Sequence, residues 1–463
     1  MDLIRKSLKD SAVFRWGILI LISYVMAANY YFYDALSPLK SILQEKLGFS
    51  SSDYGWVVGF YAFPNTFLLM AILGGIILDK IGIRITGTMF VVFMLIGAFI
   101  TVYGTTDYFI NGGFGYQLFG SFLTGFTPQV KMMALGMLLF GLGAETSIVV
   151  VSKIIVKWFS GKELALAFGV NLGIARIGSA LAFFLGPRLA IPNWHTPLWF
   201  AFNLLLISLL GFLIYCIADH KLDKENISNG QIAAEEPFRL KDLTDLITNR
   251  TFIYITLLCV TFYASIFPFL KYAADFFHYK FGVPETTAGA IASWLPLGTV
   301  LFTPFFGWFV DKKGKAASLM IYGSSLLVLV FVAFAFTNLN PYVLVFLLGI
   351  SFSLVPAAMW PAVSKIVPLQ KIGTAYGMMF SLQNLGLFAI PVLAGWVLDK
   401  TNAAITPEML QNGAVLNYTP TIIMFAIIGS LGVIFAFLLK RDDLTSGIGM
   451  ELPSNATPPE KEK

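Results

Sequence analysis

Apolar residues in this chain are gathered into long blocks instead of alternating or recurring on one face. Blocks of about 20 residues, the length that crosses a bilayer core as a helix, fall at roughly 14–34, 54–78, 84–103, 132–153, 163–187, 197–218, 251–276, 286–310, 317–337, 341–362, 372–398 and 419–439. Most of the breaks between them are short. The long polar one is 219–250, DHKLDKENISNGQIAAEEPFRLKDLTDLITNR, and it divides twelve blocks into six and six. The pattern predicts an N-terminal segment 1–13, a six-helix bundle 14–218, a linker 219–250, a second six-helix bundle 251–439 and a polar tail 440–463 that is expected to be disordered. The first block follows Arg5, Lys6, Lys9 and Arg15 and runs on through Tyr33 without a cleavage site, so it reads as an uncleaved first helix and not a signal peptide.

Composition agrees with a membrane chain. Hydrophobic residues make up 57% and charged residues 12% of the 463, about half the charged share of a soluble domain. The expected fold class is an all-α membrane protein of twelve transmembrane helices, and its constant partner is the lipid bilayer. The net charge of +5 is no nucleic-acid signal, because the basic residues lie between the blocks. Placing both termini on one side puts 23 Lys and Arg there and seven on the other, which predicts cytoplasmic termini. Cys216 and Cys259 lie at or inside apolar blocks, and His195, His220 and His278 fall in or near loops by this segmentation. They suggest no disulfide framework, metal site, cofactor or histidine relay. No nucleophile–base pair stands out, so enzyme activity is not expected.

The two halves repeat one another. YAFPNTFLLMAILGGIILDKIG at 61–82 matches ASWLPLGTVLFTPFFGWFVDKKG at 292–314, aligning Pro64 with Pro296, Gly75 with Gly307, Asp79 with Asp311 and Gly82 with Gly314. LAFGVNLGIARIG at 166–178 matches TAYGMMFSLQNLG at 374–386. The offset between halves drops by 24 from the first match to the second, which assigns the extra residues to the loop 104–130, read as an elaborated loop, a lid, a docking surface or an interfacial hairpin. In each copy of G-x-x-x-D-K-x-G the Asp can accept from a facing helix N-terminus and the glycines permit close packing. Gly75, Asp79, Lys80, Gly82, Gly307, Asp311, Lys312 and Gly314 are therefore expected to form a conformational latch. Two such copies in register resemble the loop motif of the major facilitator superfamily, which implies two pseudo-symmetric bundles that rock about a central site. A third partial copy, Asp399-Lys400 after the eleventh block, falls on the other side and is given no latch role.

The stretch 139–179 carries the candidate site. Glu145 lies 13 residues before Trp158 and Arg176 lies 13 residues after Glu163, so both sit about 20 Å from one surface at 1.5 Å per residue. Ionisable groups at that depth are costly and point to function. Two readings stand: an ion pair that only fixes helices 4 and 5, or a clamp in which Glu145 takes an ammonium and Arg176 a carboxylate. Proton coupling through Glu145 fits the second. The second-half counterparts, Ser353 and Asn384, are uncharged, so a ligand's ends would sit on the first bundle. Asn29, Tyr30, Tyr31, Tyr263, Trp294, Trp360, Gln383 and Asn384 are candidates to complete the cavity.

GAETSIVVVSKIIVKWFSGKELALAFGVNLGIARIGS, AMWPAVSKIVPLQKIGTAYGMMFSLQNLGLFAIPVLAGWVLD (358–399), FPFLKYAADFFHYKF (267–281) and FFGWFVDKKGK (305–315) resemble the lysosomal dipeptide uniporters of that superfamily. The resemblance implies alternating-access uniport of dipeptides, with Glu145 and Arg176 on the peptide termini and Trp360 before Pro in helix 10. No acidic dileucine signal is read in the N-terminus, and the short loops and basic start suggest a bacterial inner membrane. The accessory glycoprotein partner of the animal members is not carried over. Helix 1 lacks the E-x-x-E-R motif of proton-coupled peptide transporters. The remaining alternatives are a proton-coupled carrier of organic anions anchored at Arg176 and a receptor that binds without turnover.

Overall fold

The computed structural model describes residues 8–159, 162–228, 246–368, 371–406, 409–410 and 413–453. Among these, eleven helices are long and apolar enough to cross a membrane, yet the chain makes twelve passes. The helix Met70–Tyr103 contains Gly82 at φ 81°, ψ 166°, and the chain reverses there. Along 70–81, Gly74 meets Thr146 and Asp79 pairs with Lys153 of the helix Pro128–Phe159. Along 83–103 the order inverts: Gly143 packs on Phe90 and Gly136 on Thr101. Only a residue without a β-carbon takes that φ readily, so Gly82 forms the turn between the second and third passes.

The first pass is Ala12–Ala35, the fourth Pro128–Phe159, the fifth Leu164–Ala190 and the sixth Thr196–Ser228. Passes seven to twelve are Arg250–Phe281, Glu285–Lys313, Ala316–Phe336, Pro341–Ile366, Ile372–Thr401 and Thr419–Ser446. The described ends of the chain lie on one face, called here the terminal face; the opposite one is the far face.

The second pass differs most from the uninterrupted span expected at 54–78. It is built from Ser51–Gly59, a 3-10 turn Phe60–Ala62, Phe63–Phe67 and then 70–81. Pro64 contributes no N–H, and Leu69 lies in the left-handed region at φ 52°, ψ 42°. The Asn65 side chain supplies the acceptor the broken ladder lacks, taking the Ala71 N–H at 2.8 Å.

Three further expectations are corrected. The sixth pass continues as helix to Ser228, beyond the expected linker start at 219; Asp219 and Asp223 on this extension both pair with Arg84 and Lys157. His220 accordingly lies on a helix, while His278 lies in the last turn of the seventh pass, beside the loop. The tail is ordered well past Lys440. The last helix runs to Ser446, and 447–453 folds back onto the turn before the ninth pass, where Glu451 accepts from the Ser318 backbone N–H at 2.7 Å and its hydroxyl at 2.8 Å. A partly buried carboxylate at a helix N-terminus is a strong cap. The remainder of the linker and tail expectations lies outside the described residues. The loop 104–130 carries two short helices, Asp107–Ile110 and Tyr116–Ser121.

Candidate functional site: a central cavity below a sealed far face

The far halves of the bundles are interlocked. Lys40 on the first bundle meets Asp275 of the seventh pass at 2.8 Å, and Asp34 of the first pass meets Lys271 of the seventh at 2.7 Å. All four side chains are almost wholly buried. The pairs run in opposite senses across the interface, so each bundle gives one cation and one anion. Tyr418 also donates to Asp275, and Lys271 donates to the Tyr33 carbonyl at 2.7 Å. Lys40 and Lys271 are two of the seven cations on the side away from the termini. Lys271 and Asp275 nevertheless fell inside the block 251–276, and one turn of a membrane helix carrying both signs was the available signal.

Asp399, given no latch role above, joins the two bundles at the far face. Its carboxylate accepts from Ser51 N at 2.8 Å, Ser52 N at 2.7 Å and Ser52 Oγ at 2.5 Å, capping the N-terminus of the second pass from the opposite bundle. Gly55 and Gly395 lie at the same contact, against the Pro391 carbonyl and the Ser51 backbone, where a β-carbon would collide. The predicted latch residues are arranged differently. Asp79 pairs with Lys153 of its own bundle at 2.7 Å. Among the described residues, Gly75 and Gly307 have no neighbour within 4 Å of where a β-carbon would stand. Gly314, at φ 72°, packs against the folded-back tail at Glu451 and Leu452.

Below the seal lies a cavity of about 70 Å³ between the bundles. Asn29, Tyr30, Tyr33, Tyr61, Glu145 and Ile148 line it from the first, and Phe267, Phe380, Gln383, Asn384 and Leu387 from the second. Glu145 reaches it because Ala144, Thr146 and Ser147 occupy the buried faces of the fourth pass. Asn65 donates to Glu145 Oε2 at 3.2 Å. Arg176 stands at the cavity wall: its guanidinium carbon is 5.3 Å from the Tyr30 ring centroid, 5.7 Å from Phe267 and 5.2 Å from Phe352. Aromatic faces stabilise a cation without consuming its N–H groups as hydrogen-bond donors. Among the described residues Arg176 makes no hydrogen bond or ion pair, and none joins it to Glu145. Glu145 lines the cavity and Arg176 packs on two of its lining rings, Tyr30 and Phe267, so the two charges stand about one chamber without neutralising each other by contact.

Trp360 stacks on Phe380 with centroids 4.7 Å apart and donates from Nε1 to the Tyr263 hydroxyl at 3.1 Å. Tyr263 thus stands behind Trp360. Asn384 donates to the Phe380 carbonyl at 2.9 Å, while its Oδ1 is buried without a partner. Gln383 lines the cavity and accepts from the Cys259 thiol at 3.5 Å. Four of the eight cavity candidates, Tyr31, Tyr263, Trp294 and Trp360, are not among its lining residues. Trp294 is 47% exposed on the eighth pass, and Tyr31 packs against Phe200 behind the first. Asn65, Phe267 and Phe352 are absent from the candidates: Asn65 carries the same signal as Asn29, an amide in an apolar block, whereas a phenylalanine there carries none until the chain folds.

A family model described as Major Facilitator Superfamily matches residues 19–391 and 272–451. The chain is 32% identical over 397 residues to the lysosomal dipeptide transporter MFSD1 of Mus musculus, covering 83% of this chain and 80% of that protein. To the Homo sapiens protein of the same name it is 30% identical over 400 residues, with 83% and 80% covered. Among solved structures, a bacterial homologue of the human lysosomal transporter Spinster, in an inward-facing and occupied conformation, is similar with a TM-score of 0.67 at 14% identity, over 94% of this chain and 98% of that one. That last likeness concerns the fold.

Proposed function

Because the chain belongs to the Major Facilitator Superfamily and is an integral multi-pass membrane transporter, we propose that it carries dipeptides across the membrane by alternating-access uniport. The observation that carries this reading is that, among the described residues, no ion pair joins Glu145, which lines the chamber, to Arg176, which packs on its lining rings. A dipeptide presents an ammonium and a carboxylate separated by a neutral backbone. Glu145 takes the first and Arg176 the second as a fork. The empty site stays neutral overall, as suits a neutral zwitterion. Trp360 and Phe380 form an apolar wall on the second bundle, a surface tolerant of varied side chains. The relatives named for dipeptide transport support the same substrate class.

The chamber, at about 70 Å³, is far below the ~300 Å³ of ordinary small-molecule sites. The bundles must therefore move apart to admit a ligand. The far seal is the element that breaks to open that side, and the Gly75–Gly82 and Gly307–Gly314 motifs act as latches on the terminal side in the opposite state. The basic residues gathered on the terminal face support cytoplasmic termini, and the short loops support a bacterial inner membrane.

The test is counterflow of labelled dialanine in proteoliposomes, with and without a pH gradient, for wild type, Glu145→Gln and Arg176→Ala. The expected result is exchange indifferent to the gradient and lost in both variants. Exchange that survives both substitutions would refute the two-charge site, and exchange that needs the gradient would refute uniport.

A further inference from the structure

We infer that Asn65 is a positioning residue that ties the state of Glu145 to the break in the second pass, so that ligand at the carboxylate is felt by the joint between the bundles. This rests on the proposed role of Glu145. Asn65 is fully buried, and both ends of its amide are used. Nδ2 donates to Glu145 Oε2 at 3.2 Å. Oδ1 accepts the Ala71 N–H at 2.8 Å, the amide at which the helix restarts after Leu68 and Leu69. The same oxygen is 3.4 Å from the Ser381 hydroxyl of the eleventh pass, on the other bundle. One side chain thus touches the Glu145 carboxylate, the broken helix and the opposing bundle.

Only the short amide of asparagine fills this position. Asp lacks the donor, Leu lacks both groups, and Gln displaces the head by a methylene. Leu69, just past the break, is held in a conformation that a β-carbon disfavours, so the joint depends on a hold from outside the backbone ladder. Asn65 donates to Oε2, and the Tyr61 hydroxyl also hydrogen-bonds to the carboxylate, so an ammonium would share Glu145 with both. When ligand draws the carboxylate toward the chamber, Asn65 follows or lets go. Either way the cap on 70–81 is disturbed, and that segment ends at Asp79 and Gly82.

Asn65→Asp separates the two jobs. It keeps an acceptor for Ala71 N–H and faces Glu145 with a second carboxylate. The other ionisable groups around this point are Tyr30 and Tyr33 of the first pass, Tyr61 of the second and Arg176 of the fifth; Ser381, Gln383 and Asn384 on the eleventh do not titrate. Two carboxylates at hydrogen-bond distance share one proton. Dialanine uptake by Asn65→Asp is therefore expected to fall roughly tenfold at about pH 8 and to recover at about pH 5, while wild type stays flat. Thermal stability should stay near wild type in Asn65→Asp and drop in Asn65→Ala, which loses the cap. Adding Glu145→Gln to Asn65→Asp should abolish the pH dependence of dialanine binding. A flat profile with wild-type KM and rate in Asn65→Asp overturns the inference. If Glu145→Gln alone transports normally, it is instead the ammonium-anchor reading that fails.

Discussion

Removing the Asp275 carboxylate should unseal the far face. Lys40 and Asp275 are 0% and 1% exposed at the side chain and 2.8 Å apart, and they belong to opposite bundles. In Asp275→Ala the closed state retains a buried ammonium whose remaining contacts are Gln44 Oε1 at 2.7 Å and the rings of Tyr272 and Tyr418 at nearly 6 Å. Breaking a buried pair in this way costs about 3–5 kcal/mol, mostly because one charge is left uncompensated. Once the far face opens, Lys40 regains water and the penalty disappears. The cost therefore falls on the closed state alone and shifts the closed-to-open ratio by roughly 200- to 4,000-fold. Spin labels at Lys46 and Ala404, both exposed on the far face and on opposite bundles, read the change as a longer distance distribution in pulsed electron double resonance. Charge removal and pair removal are separated by the double variant Lys40→Met with Asp275→Leu. An apolar replacement of a buried pair is commonly neutral or stabilising, so this variant should return to the short distance. If Asp275→Ala keeps the wild-type distribution, the ion pair does not hold the gate. If the double variant opens as far as the single one, the reasoning from uncompensated charge is wrong.

Asp399→Ala removes three hydrogen bonds to the start of the second pass and should destabilise the far-closed state by about 1–2 kcal/mol, the scale of a helix cap; faster labelling of a cysteine placed at Ser41 would report it. Glu451→Ala uncaps the ninth pass and should cost about 1 kcal/mol in thermal unfolding without altering the KM for peptide. Glu163, at the entry to the fifth pass, accepts from Arg15 at 2.9 Å. Its carboxyl is held below the usual value of 4.5, first by its own backbone N–H and then by Arg15. A depressed carboxylate stabilises above its ordinary pKa and loses that contribution as pH falls through the depressed one. The stability advantage of wild type over Glu163→Gln should therefore be constant above about pH 5 and vanish on stronger acidification.

Much of the architecture could be read from the chain because lipid makes a strict demand. Every backbone polar group inside the core must be satisfied within its own segment, so about 20 apolar residues in a row read as one helix. The duplication at 61–82 and 292–314 paired the halves, and Glu145 and Arg176 stood out as charges in apolar blocks. That signal is energetic and survives without coordinates.

Whether those two charges pair with each other was not legible, because their separation depends on how the fourth and fifth passes rotate. The structure leaves them apart, with Arg176 among aromatic rings from both bundles. The break at Leu68–Leu69 was hidden because Asn65, a side chain from a preceding turn, replaces a backbone acceptor, and such a substitution leaves the hydropathy unchanged. Asp399 looked idle on the wrong side; its partners, the Ser51 and Ser52 amides, lie more than 340 residues away. The sequence by itself determined the number of passes, their duplication and the depth of the two charges, since burial in lipid acts on each helix separately. Tertiary structure alone decided which face is sealed, which carboxylate latches it and what Asn65 holds, since those depend on contacts between segments that become neighbours only when the two bundles pack.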